Sequence, residues 1–383
     1  MTYSSAIAPQ LPWLLSSAVL SALVALVIVS QKHRFTKSLE AALEAGQASH
    51  TVPTPRLGGV AILFGIVSSV MLGYRDASPW VFASVLPVFL IGLLEDFGLQ
   101  TKPSRRLLLM SLSAYFVVYW TDVRITLSDT PFVDALLANW LVSLAFTVFF
   151  VVALTNGFNL IDGVNGLASS KVIFASLALS YVAYQQGDIA LHQAGMVIAF
   201  STFGVFVVNF PFGRIFMGDA GAYSLGFVVA WITILLNERH PDVSAWSLLC
   251  IISWPIFDTT FSIWRRLRSR SRVGAPDHLH YHQLVMRAWE LISRGQMPRR
   301  VSNPLATITI WPITLPTIFC GAWFSNDNFA GAVVFAVSAV FFVATYVGSV
   351  LILRRRRLRV RFGEAARAVY DAALHVIRVL VKR

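Results

Sequence analysis

Four polar clusters interrupt an otherwise apolar chain, and each carries side chains able to do chemistry. The longest is Asn156-Gly157-Phe158-Asn159-Leu160-Ile161-Asp162-Gly163-Val164-Asn165-Gly166-Leu167. Asn159 and Asp162, three residues apart, share a face on a helical turn, and Asn165 continues the row. Amide and carboxylate groups on one ridge suit a base, a ribose or a metal-bound phosphate; the alternative is a polar re-entrant turn. Glu95-Asp96 is an adjacent acid pair followed by Lys102, Arg105 and Arg106. Such a pair can bind a divalent cation, or one acid can act as a base beside it, while the cations hold phosphate. Phe216-Met217-Gly218-Asp219-Ala220-Gly221 sets one acid between glycines; that acid can be a metal ligand, the N-cap of the next helix, or both. Asp277-His278-Leu279-His280-Tyr281-His282 follows an arginine-rich run beginning at Arg265. Without a Cys partner or a His-Glu-x-x-His pattern it favours phosphate binding or proton donation over zinc.

The surrounding composition dictates where these clusters sit. The 383 residues are 56% hydrophobic and 13% charged, about half the charge of an average soluble domain. This is the composition of an integral membrane protein. A polar, glycine-rich segment cannot lie in hydrocarbon, because its backbone and amides would go unsatisfied, so each cluster belongs at a membrane face or in a wet cavity. Apolar runs at 11–30, 57–74, 80–94, 107–120, 139–155, 168–185, 193–211, 222–237, 246–263, 305–323 and 329–353 predict an all-α polytopic bundle of about 11 spans. The first run lacks a basic flank before it and reads as a retained span rather than a cleaved signal. Cys250 and Cys320 both fall in apolar runs and offer neither a disulfide framework nor zinc spacing.

Alternation of loops across these spans puts 27 of the 31 Lys and Arg residues in loops on one side, with Lys171 just inside the span that follows one of them, leaving Arg75, Arg124 and Arg239 on the other. By the positive-inside rule the first side is cytoplasmic, the N-terminus periplasmic and the C-terminus cytoplasmic. All four clusters fall in the cytoplasmic set. The excess positive charge there would attract anionic lipid and polyanionic substrates. Residues 1–353 read as one membrane domain. Residues 354–383 read as a basic cytoplasmic tail in which Ala365, Val369, Ala372, Val376 and Leu380 recur near helical spacing, as in an amphipathic helix on the inner leaflet. No nucleic-acid module is visible. Asp258 stands alone inside a span, a functional candidate or the partner of a nearby arginine such as Arg265.

Taken in order, the clusters resemble the polyprenyl-phosphate N-acetylhexosamine-1-phosphate transferases, from Pro55 to Leu284. The likeness runs through Pro55-Arg56-Leu57-Gly58-Gly59, the acidic pair, the Asn-x-x-Asp-Gly-x-x-Gly-Leu loop, the Gly-Asp-x-Gly loop and the His-x-His loop. It implies a bacterial inner-membrane enzyme with its active site on the cytoplasmic face. Such an enzyme moves a sugar 1-phosphate from a UDP-sugar to undecaprenyl phosphate, with Mg²⁺ or Mn²⁺, and releases UMP. By the same resemblance Asp219 is the first choice for metal ligand, and Asp96 activates or positions the lipid phosphate or shares the metal, beside Glu95. Asn159, Asp162 and Asn165 contact the nucleotide and Phe216 stacks on uracil. Arg56, Lys102, Arg106, His280 and His282 hold phosphates. The pattern departs from the family at Glu95 and Asn165, where Asp is usual, and at Gln283, where His is common. The Asp277-x-x-His280-x-His282 spacing is more similar to the branch that starts O-antigen and other surface polysaccharides. The branch using UDP-MurNAc-pentapeptide is the alternative within the family. A transporter or lipid flippase is the alternative outside it, and would need acids near mid-membrane. A homodimer is compatible with this reading.

Overall fold

A computed structural model describes residues 10–34, 54–72, 79–99, 101–268, 279–293, 297–351 and 353, with backbone alone for 79–82. The tail from 354, Asp277 and His278 lie outside the described residues. The architecture is all-helical. In chain order the helices are α1 (Leu11–Ser30), α2 (Gly58–Leu72), α3 (Pro79–Asp96), α4 (Pro103–Thr121), α5 (Pro131–Leu137), α6 (Trp140–Leu160), α7 (Leu167–Gln185), α8 (Ile189–Asn209), α9 (Gly218–Arg239), α10 (Ala245–Ile251), α11 (Ser253–Arg268), α12 (Tyr281–Ile292), α13 (Arg299–Trp323) and α14 (Asn328–Leu351).

Among the described residues, seven helices are long and apolar enough to cross a membrane, or eight if the bent pair α10–α11 is one span, and α2 is a shorter apolar helix. Each of the eleven expected runs coincides with a helix, but the ninth is not a single rod. α10 and α11 meet at 82°. Pro255, in the first turn of α11, has no N–H to give to the Ile251 carbonyl, which removes a bond that would tie the two segments together. The result is a multi-pass membrane bundle in which leucine, valine and phenylalanine side chains stay exposed along α1, α4 and α14.

α9 is the axis. Its apolar window is 89% buried, against 17% for α14 at the periphery. It packs on α2, α3, α6, α7 and α8. Small residues permit this crowding at the N-terminal end of α9. A Cβ on Gly92 would meet the Ala220 backbone at 2.5 Å, so α3 and α9 touch main chain to main chain. The end of α3, the start of α2, the end of α6 and the starts of α7 and α9 therefore converge at one end of the bundle.

Candidate active site

The N-terminus of α9 organises this convergence. Gly218 opens the helix at φ +76°, a left-handed conformation, and a Cβ there would strike the Arg56 carbonyl and the Asp96 carboxylate. α9 has no side-chain cap of its own. Asp96 supplies it from the end of α3, its two oxygens accepting the N–H groups of Asp219 (2.8 Å) and Ala220 (2.9 Å). Thus Asp219 is not the cap of its own helix; it lies in the first turn and its carboxylate bonds to side chains from other segments.

Residues 55–59 pair with 216–217 through backbone bonds, Gly58 N–H to Phe216 O, Gly59 N–H to Met217 O and Phe216 N–H to Pro55 O. This fixes Arg56 over the α9 terminus. Its guanidinium donates to Asp219 Oδ1 at 2.8 Å and lies 3.4 Å from Asp96 Oδ1. Asn159, on the last turn of α6, donates to the same Asp219 oxygen at 2.6 Å. Asp219 Oδ1 is therefore clamped by two donors. Oδ2 accepts no hydrogen bond among the described residues, and the side chain is 14% exposed. Asp219 raises the Arg56 pKa beyond its ordinary value, keeping the guanidinium charged. Asp162 is pushed up to about 7, chiefly by burial, with Asp219 adding to the rise and Arg56 and the Gly218 N–H opposing it.

The expected ridge holds for Asn159 and Asp162 and fails at Asn165. The chain leaves the helix at Leu160, and Gly166 sits at φ +75°. Asn165 turns away into the wall: its N–H donates to Asn303 Oδ1 (2.7 Å), its carboxamide to Pro211 O (2.8 Å), and its carbonyl accepts from Thr307 (2.7 Å). Gly166 N–H is taken by Asn209 Oδ1 at 2.6 Å. Asn209, Asn303 and Thr307 thus replace the backbone bonds that the turn lacks. Asn303 escaped the sequence reading. Its signal was an amide beside a proline at the head of an apolar run.

The histidine loop reaches the same wall. His280 Nδ1 lies 2.7 Å from Asp258 Oδ2, and Asp258 Oδ1 accepts the Tyr281 N–H at 3.0 Å. Asp258 thus orients this loop. His280 and His282 are each 2% exposed, with ring planes 9° apart. His282 Nε2 presses against Gly163, where a Cβ would not fit.

Glu95 points elsewhere. It accepts from Thr101 and from Tyr223 (3.1 Å), and Arg106 lies 3.6 Å away with its guanidinium over the Tyr223 ring. Lys102 stands exposed at the head of α4 and is not drawn into the cluster, while Phe216 is half-buried beside it.

These contacts bear on a metal. Among the described residues no group of three His, Cys, Asp or Glu could enclose one. Asp96 has both oxygens on backbone N–H groups and no exposure. Asp219 Oδ2, which accepts no hydrogen bond among the described residues and interacts electrostatically with Asp162, fits a hard cation. The set suits a divalent ion shared with a diphosphate, since Mg²⁺ is commonly held by one or two carboxylates plus substrate phosphates.

A model of glycosyl transferase family 4 matches residues 78–237. The chain is 30% identical over 244 residues to a probable undecaprenyl-phosphate N-acetylglucosaminyl 1-phosphate transferase of Bacillus subtilis, covering 62% of this chain and 67% of the relative. The chain belongs to glycosyl transferase family 4. Two more distant relatives differ in their named sugar. A decaprenyl-phosphate N-acetylglucosaminephosphotransferase of Mycobacterium leprae is 25% identical over 341 residues, 80% of this chain and 82% of the relative. A phospho-N-acetylmuramoyl-pentapeptide-transferase of Staphylococcus carnosus is 24% identical over 307 residues, 72% of this chain and 92% of the relative. The family 4 match contains Glu95, Asp96, Asn159, Asp162, Asn165, Phe216 and Asp219. Arg56, His280 and His282 lie outside it, and the geometry brings them to the same site.

Proposed function

We propose that this family 4 chain transfers N-acetylhexosamine 1-phosphate from a UDP-sugar to undecaprenyl phosphate and releases UMP. The observation that supports this reading is the Asp219 carboxylate at the positive end of α9, one oxygen clamped by Arg56 and Asn159 and the other without a hydrogen bond among the described residues. In the reaction an oxygen of the lipid phosphate attacks the sugar-bearing phosphorus. A new P–O–P bond forms as the old one to UMP breaks.

Two highly charged groups must therefore be brought together, which requires neutralisation and alignment. Mg²⁺ or Mn²⁺, held by Asp219 with Asp162 beside it, would supply charge neutralisation when bound. Arg56 orients Asp219 through its bond to Oδ1. Asp96 acts as a positioning residue, holding the first turn of α9. Asn159, Asp162 and Phe216 face the nucleotide, Asn165 braces their loop, and Arg106, His280 and His282 are the phosphate contacts. Glu95 fixes Arg106.

GlcNAc or a related N-acetylated sugar is favoured by the Bacillus subtilis relative at 30% identity, which is named for N-acetylglucosamine. UDP-MurNAc-pentapeptide is the second reading, because relatives named for it align over much of the chain. The eleven-span topology, with the N-terminus periplasmic, the site at the cytoplasmic face of a bacterial inner membrane and residues 354–383 on the inner leaflet, follows from the loop charges. A role in starting O-antigen or another surface polysaccharide accompanies the GlcNAc reading. The test is UMP release by purified protein given undecaprenyl phosphate, Mg²⁺ and a panel of UDP-sugars. Release with N-acetylglucosamine-type donors is expected; release with UDP-MurNAc-pentapeptide alone would select the second reading.

A further inference from the structure

Lys171 is a basic side chain enclosed in a membrane-crossing helix, one turn into α7, and the reaction above makes no use of it. It is 2% exposed. Among the described residues no carboxylate lies within ion-pair reach of it; Nζ donates to Thr314 Oγ1 of α13 and sits 5.7 Å from the centroid of the Trp254 ring. A basic group in such a place is costly and calls for a functional account. Its two partners indicate one. Trp254 stands in the first turn of α11, immediately after the 82° bend. Its ring packs edge-on against Tyr281 at 5.0 Å and 80°. Tyr281 lies between His280 and His282, and its N–H is held by Asp258, four residues after Trp254 and on the same face of α11.

We propose that Lys171 is a positioning residue: its head group, fixed by Thr314, bears on Trp254, and Trp254 with Asp258 seats the His280–His282 loop against Gly163. Three helices meet at this one side chain. α7 continues from the Asn159–Gly166 loop, α11 carries the histidine anchor, and α13 carries Asn303 and Thr307, which brace Asn165. Attraction between an amine and an aromatic face strengthens where water is excluded. The lysine thus couples the nucleotide-side loop to the phosphate-side loop.

The proposal rests on the reading above only for what the site does, so its test reads the loop rather than turnover. Full-length protein is treated with diethyl pyrocarbonate and each histidine's modification rate is followed by peptide mass spectrometry. Lys171→Met keeps chain length and removes a polar head group from an apolar site, so the thermal midpoint should hold or rise. His280 and His282 should nonetheless become severalfold more reactive, while His192, fully buried in α8, stays at the unmodified protein's rate. Unchanged rates at His280 and His282, or a parallel rise at His192, would overturn the proposal. Trp254→Leu leaves the lysine in place and should release the same two histidines. If Lys171→Met protein does not accumulate, this second variant decides by the same criterion. Turnover of the unmodified protein, measured separately, reports on the reaction itself.

Discussion

Gly163→Ala is a one-methyl change whose consequences for activity and stability diverge. Gly163 does not have a positive φ, so alanine meets no backbone penalty there. The added Cβ would fall on His282 Nε2, well inside the 3 Å that real Cβ contacts respect. The imidazole is buried and parallel to His280, so it can yield only by carrying the loop with it, by about 1 Å. A misplacement of that size costs about 100-fold in rate, or about 2.7 kcal/mol of transition-state stabilisation. Stability should change less. Overpacking costs about 1–3 kcal/mol, and the stiffer unfolded chain returns about 0.4–1 kcal/mol. UMP release gives kcat/KM, and a thermal melt in detergent gives stability. In an His282→Ala background the methyl has room, so Gly163→Ala should there be nearly silent, a non-additivity diagnostic of direct contact. Activity of Gly163→Ala within twofold of the unmodified protein would refute the placement of His282 beside the nucleotide loop.

Three further outcomes follow from the same geometry. Asp219→Asn keeps shape but removes the negative charge, so turnover should be abolished with expression and thermal midpoint retained; near-normal turnover would remove Asp219 from the metal site. Asp96→Ala strips the cap from α9 and leaves Arg56 and two N–H groups without it, which should cost about 3–5 kcal/mol of stability, seen as a large drop in thermal midpoint and in yield. Asp162 is raised to about 7 from a carboxylate's ordinary 3.8, so the folded metal-free protein binds its proton more tightly than the unfolded chain. Its contribution to stability is full below about pH 4 and is lost as pH rises through about 7. Melting curves of metal-free protein should show that decline, and Asp162→Asn protein should lose this part of it.

Much of the site was legible because side-chain type and membrane physics constrain each other. Polar loops had to leave hydrocarbon, and basic charge gave them a common side. The residues brought together, Arg56, Asp96, Asn159, Asp162, Asp219, His280 and His282, were all visible as such. What sequence could not show was the division of labour within the cluster. Asp96 and Asp219 look equivalent as acids, and only the path of α3 past the start of α9 makes one the cap and leaves the other open. Asn165 looked like a third member of a helical row, until the left-handed Gly166 turned it into the wall. Glu95 was paired in sequence with Asp96 but faces Tyr223 and Arg106. The bend at Ile252–Ser253 was hidden because hydropathy is blind to direction, although Pro255 marked the place.

The central claim is that phosphate moves with the sugar. UDP-N-acetylglucosamine labelled with ³²P at the phosphate next to the sugar, incubated with purified protein, undecaprenyl phosphate and Mg²⁺, tests it directly. The account predicts that the label enters the organic phase on the lipid and that the released UMP is unlabelled. Label retained on water-soluble nucleotide, with sugar alone on the lipid or no lipid product from any UDP-sugar, would contradict it.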